Sequence, residues 1–463
     1  MAEAAQQAGR RLSVVAQVTR ETTPTDAAFK QIPYSSADLK ADLGFTQSQL
    51  IQSSRKPPAN ISGNASASGN INTELVVEDG LKLVEESAWQ AAWTAVSLAS
   101  VAGAYNSAGT YIRSSGNFLT DTLANRLQAG DLIFGTGTTT NRTQLNGALG
   151  ASDTTIAVDT VDATTILPSG GGFIKIDNEI IAYSARTSTS ITVSRRGACG
   201  TTAASHLDNV VVTPGRTIAS ITSTTITFAA TDVVVTETGQ TISWTTTTSR
   251  LIPGTTRKYL TFEEYFSDVA SPFYRRKLGA EMNLNYSVPT TGPITMSGAF
   301  VGTSYADTQS SGTPTYAALA GRKPFAGSGG ANASITYNGS DFPGCIENLN
   351  FGVENGFAVK NGVGEEFACF VEQAPSRTLP LSASIYLVSN TMHGLFTART
   401  RFSMQYISES QDGDLRRFNW PEVVISDDAQ TLSGQTYAEN LTLGVEVDPT
   451  ENVEFWMDEV RKY

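Results

Sequence analysis

ASASGNINTELVV, running from Ala65 to Val77, alternates without a slip. Ala65, Ala67, Gly69, Ile71, Thr73, Leu75 and Val77 fall on one side, and Ser66, Ser68, Asn70, Asn72 and Glu74 on the other. A period of two marks a strand with one face in a core and one in water. The pattern returns near the other end of the chain. In LPLSASIYL, Leu379, Leu381, Ala383, Ile385 and Leu387 alternate with Pro380, Ser382, Ser384 and Tyr386.

The surroundings return as well. Before the first strand stand Ile32-Pro33-Tyr34, Leu39, Leu43 and a link through Pro57 and Pro58. Before the second stand Cys345-Ile346, Leu349, Val353 and a link through Pro375. After the first comes LKLVEESAWQAAW, with Leu81, Val84, Ala88, Trp89, Ala92 and Trp93 on one helical stripe; after the second comes the shorter MHGLFTAR. The common order is strand, long excursion, strand, helix, which reads as an internal duplication.

Composition sets the class. Charged residues make up 16% and hydrophobic residues 40%, with 40 glycines and abundant Thr and Ser, the profile of an all-β chain with a core. The length of 463 residues suggests roughly two to four domains. A net charge of -12 argues against a protein that grips DNA through phosphates. Cys199, Cys345 and Cys369 show neither a disulfide framework nor metal-ligand spacing. The sequence contains no bilayer-length apolar run, and MAEAAQQAGRR lacks the apolar centre of a signal peptide, so the expected site of synthesis is the cytoplasm.

Four regions follow from the chain in order. Residues 1–29 read as an N-terminal arm, either a disordered tail or a segment that pairs with a neighbouring subunit. Residues 30–128 form the first module, whose excursion from Gly44 to Pro58 carries Gln47, Gln49, Gln52, Arg55 and Lys56. In residues 129–256 Thr, Ser and Gly rise, and within them 149–213 reads as a small β unit with strands TTIAV, GFIKI, EIIAYS and SITVS. Asp177-Asn178 is its hairpin turn. Residues 257–463 return to the main body and hold the second repeat, with an excursion from Phe357 to Phe367 that includes Asn361 and Glu365.

A catalytic site is not expected. His206 and His393 are the two histidines, far apart and without a nucleophile context. Glu263-Glu264 and Glu365-Glu366 are adjacent pairs, which a strand points to opposite faces. No phosphate-binding glycine motif is present, and no cofactor is expected.

In order along the chain, these segments resemble the major tail tube proteins of phages with long non-contractile tails, in the family whose single chain carries two tube modules. Arg20-Glu21-Thr22-Thr23-Pro24 resembles the family's opening. LIQSSR (50–55) and Asn64 to Leu75 are similar to its first module; GDLI (130–133), IASITSTTITF and ETGQTI (237–242) to its intermodule subdomain; LTFEEYFSDV to the return from it. CIENLNFGVEN, VGEEFACFVEQ and SIYLVSNTMHGLF are similar to its second module. Residues 149–213 resemble a small module recurrent in phage tail and baseplate proteins, matched at Arg196-Gly197 and Gly200 to His206.

The resemblance implies two tandem β-sandwich or barrel modules, each with a flanking helix, plus the inserted β unit. It implies a structural virion protein that assembles itself into stacked rings, three chains with approximate sixfold symmetry, around a bore that passes double-stranded DNA. Tape measure, tail terminator and distal tail proteins are the implied partners. Ser66, Ser68, Asn70, Asn72, Glu74, Ser382 and Ser384 then become candidates for the lumen, although an exterior sheet face predicts the same residues. Gln47, Gln49, Gln52, Arg55, Lys56, Asn361 and Glu365 become candidates for contacts between rings. The alternatives are a receptor- or glycan-binding tail fibre, a tail-tip polysaccharide-degrading enzyme and a capsid decoration protein. A glycan site would need exposed aromatics, and the inserted unit offers Phe173 and Tyr183.

Overall fold

The computed structural model describes residues 9–49, 60–159, 162–327, 333–433 and 436–462. The chain is all-β; among the described residues α-helix is confined to Asp79–Trp89, Ala163–Ile166 and Thr391–Ala398. It divides into two compact units. The first takes the chain up to Trp93, then Leu251–Gln411 and Arg417–Met457; the second takes Thr94–Arg250, Asp412–Arg416 and Asp458 onward.

The strands that organise the first unit are, in chain order, β1 (Arg10–Gln17), β2 (Ser36–Asp42), β3 (Ser66–Glu74), β4 (Tyr259–Phe266), β5 (Phe273–Pro289), β6 (Thr295–Gly302), β7 (Ser334–Tyr337), β8 (Ile346–Val353), β9 (Leu381–Tyr386), β10 (Phe402–Glu409), β11 (Leu415–Ser433) and β12 (Thr436–Glu446). Helix α1 (Asp79–Trp89) follows β3 and helix α2 (Thr391–Ala398) follows β9. Eight of these strands form one antiparallel run in the order β2-β3-β6-β5-β8-β9-β12-β11. One face is core: Ile71, Met296, Leu284, Phe351, Leu381 and Leu441 lie below 4% exposure. Trp89 and Val84 of α1 and Met392 of α2 join the same apolar cluster. The alternation in 65–77 thus sorts residues by face, as a one-sided core requires.

The duplication is visible strand by strand. The order β2, excursion, β3, α1, β4, β5, β6 returns as β8, excursion, β9, α2, β10, β11, β12. Ile71 faces Ala37 and Gly298, and Ala383 faces Leu349 and Leu441 in the same places. β1 pairs with β4 as β7 pairs with β10. Both helices end on a residue in the left-handed region, Gln90 and Arg399. The repeats join where β5 pairs with β8, from Leu284 opposite Val353 to Pro289 opposite Asn348.

The repeats differ in one connection. Between α2 and β10 lie only residues 399–401, whereas between α1 and β4 lies nearly the whole second unit. Thr94–Asn106 and Thr110–Arg113 already belong to that unit, because they pair with Glu237–Leu251 and Thr225–Phe228. The chain therefore leaves the first unit at Trp93 rather than near residue 128. Residues 10–17 are not a free tail: β1 pairs over its full length with β4 of its own chain. Residues 1–8 lie outside the described residues.

Within the second unit, Thr155–Ala157, Gly172–Ile176, Glu179–Arg186 and Ser190–Arg195 form the inserted β unit, with Asp177-Asn178 as its hairpin turn. It has its own core, including Leu149, Ile156, Ile174, Ile181 and Ile191. Its end at residue 213 is no backbone boundary. Strand Val211–Ile221 runs on, pairing first with Gly172–Ile176 and then with Leu132–Thr136.

Candidate lumen face and assembly edges

The register of the eight strands assembles the polar residues into rows, because directly opposite residues share a face. One row reads Ser36, Asn72, Ser297, Asn285. A second reads Glu74, Thr295, Ser287, Asn350, Ser382, Thr442, Asp427. A third reads Asp38, Asn70, Ala299, Asn283. Serine, threonine and asparagine predominate over charge, and Lys40, opposite Ser68, is on the same face. Asn70, Asn72 and Glu74 are exposed, while Ser66, Ser68 and Ser382 are half-buried.

Ser384 departs from the expectation of an open lumen residue. It is 5% exposed, and its hydroxyl donates to Glu347 Oε2 at 3.1 Å. The cause is a register shift between Ile346 and Asn348, which inserts Glu347 as an extra residue beside it.

The two excursions are brought together, which the sequence did not foretell. Thr46–Gln47 pairs with Asn60–Ile61, and Ala358–Lys360 with Phe370–Glu372. Asn64 Nδ2 donates to the carbonyls of Gly362, Glu365 and Phe367 at 3.0, 2.7 and 3.3 Å. Ala65 N–H donates to Glu366, and Ala368 N–H donates back to Ala65, at 2.8 and 2.9 Å. Gln47, Gln49, Asn361 and Glu365 are exposed; Gln52, Arg55 and Lys56 lie outside the described residues. The excursions also expose apolar side chains, with Phe45 at 63% and Val363 fully open.

Both outer edges of the eight-strand run are open. Among the described residues β2 pairs with β3 alone, and β11, which also pairs with β10 and with Trp456–Val460, is joined to the run by β12 from Glu422 to Ser433. Unpaired edges of this length invite another chain.

The remaining sequence candidates fall into structural roles. Glu264 pairs with Arg10, and Glu263 accepts from the Tyr316 hydroxyl at 2.6 Å. Burial pushes both carboxyls up and the Tyr316 phenol up to about 12. Glu365 and Glu366 are exposed in a loop. His393 Nδ1 lies 2.8 Å from Asp428 Oδ2, and the nearby Glu439 is pushed up by burial and then by Asp428.

In the inserted unit, His206 sits between Asp177 at 2.9 Å and Glu179 at 2.8 Å. Arg196 donates twice to Glu179 at 2.8 Å, and the N–H groups of Gly197 and Ala204 donate to it as well. Burial raises the Glu179 carboxyl, but these donors outweigh burial and hold it at about 2. The Arg-Gly turn and the stretch ending at His206 are therefore a buried lock around one carboxylate. Tyr183 is 3% exposed and Phe173 packs against Ile180, so neither offers a stacking platform for a sugar. Among the described residues no group of His, Cys, Asp and Glu is placed to hold a metal, and no helix is long and apolar enough to cross a membrane.

The sequence profile of a family described as "Phage tail tube protein" matches residues 7–455. No curated protein matches the chain.

Proposed function

The chain belongs to the phage tail tube protein family, structural components of the virion tail, and from that premise we propose that three copies close into a ring, that rings stack into a tube, and that phage DNA passes through it. The observation that carries this reading is the eight-strand run with a polar, weakly charged face and two open edges. Three chains would supply twenty-four strands. At a spacing of about 4.8 Å and a tilt of about 40°, these enclose a backbone bore of about 45–50 Å. Two chains would enclose only about 30 Å, which inward side chains would reduce to no clearance for a hydrated duplex.

The lumen chemistry supports passage over binding. Lys40 shares the face of the polar rows with the acidic Asp38, Glu74 and Asp427. Duplex affinity comes largely from cations that displace counterions at phosphates, so such a face gives DNA little to hold. The joined excursions are the proposed contacts between successive rings, with Phe45 and Val363 meeting the next copy. Assembly in the host cytoplasm around a tape measure protein, bounded by terminator and distal tail proteins, completes the reading.

Negative-stain electron microscopy of the purified protein at high concentration tests it. Hollow rings or tubes of uniform width, with three chains per ring on averaging, are expected. Compact monomers or slender solid fibres would overturn it.

A further inference from the structure

The chain contains one copy of the contact that would have to form between chains. β5 and β11 hold the same place in the two repeats, as do β8 and β2. Inside the chain, β5 pairs with β8. The outermost strands of the eight-strand run are β11 and β2, the counterparts of those two strands. We infer that β11 of one copy pairs antiparallel with β2 of the next in the register that β5 and β8 already use, so that Thr431 stands opposite Asp38 and Leu432 opposite Ala37 of the second copy.

The register follows by transfer. Leu284 and Asp428 are equivalent, because Leu284 faces Gly298 and Asp428 faces Leu441 at matching positions of β6 and β12. Val353 and Ala41 are equivalent, because Phe351 faces Leu381 as Leu39 faces Gly69. The pair Leu284–Val353 then becomes Asp428–Ala41, Tyr286–Phe351 becomes Gln430–Leu39, and Val288–Leu349 becomes Leu432–Ala37. Strand directions agree: eight antiparallel strands in a row leave the two outermost pointing opposite ways, as an antiparallel closure needs.

Exposure fits the register. Leu432 is 62% exposed in the single chain, and the transfer sets it against Ala37 and diagonally against Leu39 on the core side. On the polar side it sets Thr431 against Asp38 and Ala429 against Lys40, which continues the rows without a break. Arg10 Nη1 donates to the Ala37 carbonyl at 2.8 Å. A carbonyl has a second lone pair, so that bond leaves room for an N–H from the arriving strand. The partner is a second copy because this chain carries both halves of the junction. This inference rests on the ring reading and adds its register.

Disulfide trapping in the full chain tests it. Cys345 and Cys369 are exposed and would be changed to Ser, while Cys199 is buried and stays. Thr431→Cys with Asp38→Cys places thiols at directly opposite positions, within the Cα separation of about 4.4–6.8 Å that a disulfide tolerates. The two positions lie on the outermost strands of the same chain, roughly 30 Å apart, so a bond between them joins chains. Oxidation by oxygen or a small disulfide is expected to give covalent dimers and trimers and nothing larger on a non-reducing gel. Ala429→Cys with Asp38→Cys, shifted by two residues, is expected to give at most a tenth of that product. If the double variant fails to assemble, the two single variants mixed one to one are expected to give a covalent heterodimer. Rings in the microscope without a 431–38 bond, or with a preferred 429–38 bond, would overturn the register alone. Absence of rings from the unmodified protein would remove the reading beneath it.

Discussion

Glu179 is 1% exposed, yet it is ionised, because Arg196, His206 and two backbone N–H groups converge on it. Its folded carboxyl, at about 2, lies below the unfolded value of about 4.3, so the stabilisation it supplies is present above the unfolded value. That stabilisation drains away as pH falls from about 4.5 toward 2. Hydrogen exchange at the Gly197 and Ala204 amides should accelerate over that window. Glu179→Gln leaves Arg196 and His206 facing a neutral amide and is expected to destabilise the inserted unit by about 3–5 kcal/mol at neutral pH, read from its denaturant midpoint. Glu439 is the opposite case. It is 1% exposed, neither carboxylate oxygen has a hydrogen-bond partner among the described residues, and burial raises its carboxyl. A raised carboxyl binds its proton more tightly in the folded state, so its contribution worsens as pH rises through the unfolded value. Met296 occupies the same place in the first repeat. Glu439→Met is therefore expected to stabilise the first unit by about 1 kcal/mol or more at neutral pH, measured by thermal unfolding.

At the scale of elements, β3 could be read in the sequence because its period of two is local and unbroken over the eleven residues from Ala65 to Leu75. The repeat of strand, excursion, strand and helix was readable for the same reason. The junction of β5 with β8 was not, since nothing near Leu284 announces that Val353 will stand opposite it. Nor was the covering of Ser384, which depends on a one-residue bulge that leaves the pattern on paper intact. The joining of the excursions was hidden as well, because it rests on one asparagine side chain meeting carbonyls some three hundred residues away. Asn64→Ala removes all three of those bonds while leaving both short hairpins in place. Its local cost should be about 1–2 kcal/mol, seen as faster hydrogen exchange at Ala65 and Ala368 with an unchanged global midpoint. If the joined excursions connect successive rings, the same variant should form single rings and fewer long tubes.

At the scale of the molecule, the duplication explains where the second unit was accommodated. A connection that takes three residues in one repeat, 399–401, holds all of 94–250 in the other. Loop closure grows only slowly more costly with length, so one such connection accepts a domain. The sequence placed the boundary near residue 128 because Thr94–Asn106 continues directly from α1, and only its pairing with Glu237–Leu251 reassigns it. The polar rows, both open edges and both excursions belong to the first unit. The inserted unit has its own core and its own lock, and Leu149 and His206 stand paired at its neck, each N–H donating to the other's carbonyl at 2.9 and 2.8 Å. Deleting 149–213 removes no strand of the polar sheet, although it shortens strand Val211–Ile221 at its start. The deletion should therefore lower the stability of the second unit and leave rings and tubes intact, with the same bore and a smaller mass per ring in averaged micrographs. Loss of rings in the deletion, with the first unit still folded by circular dichroism, would show that the insert takes part in closure and that the polar sheet alone does not specify the tube.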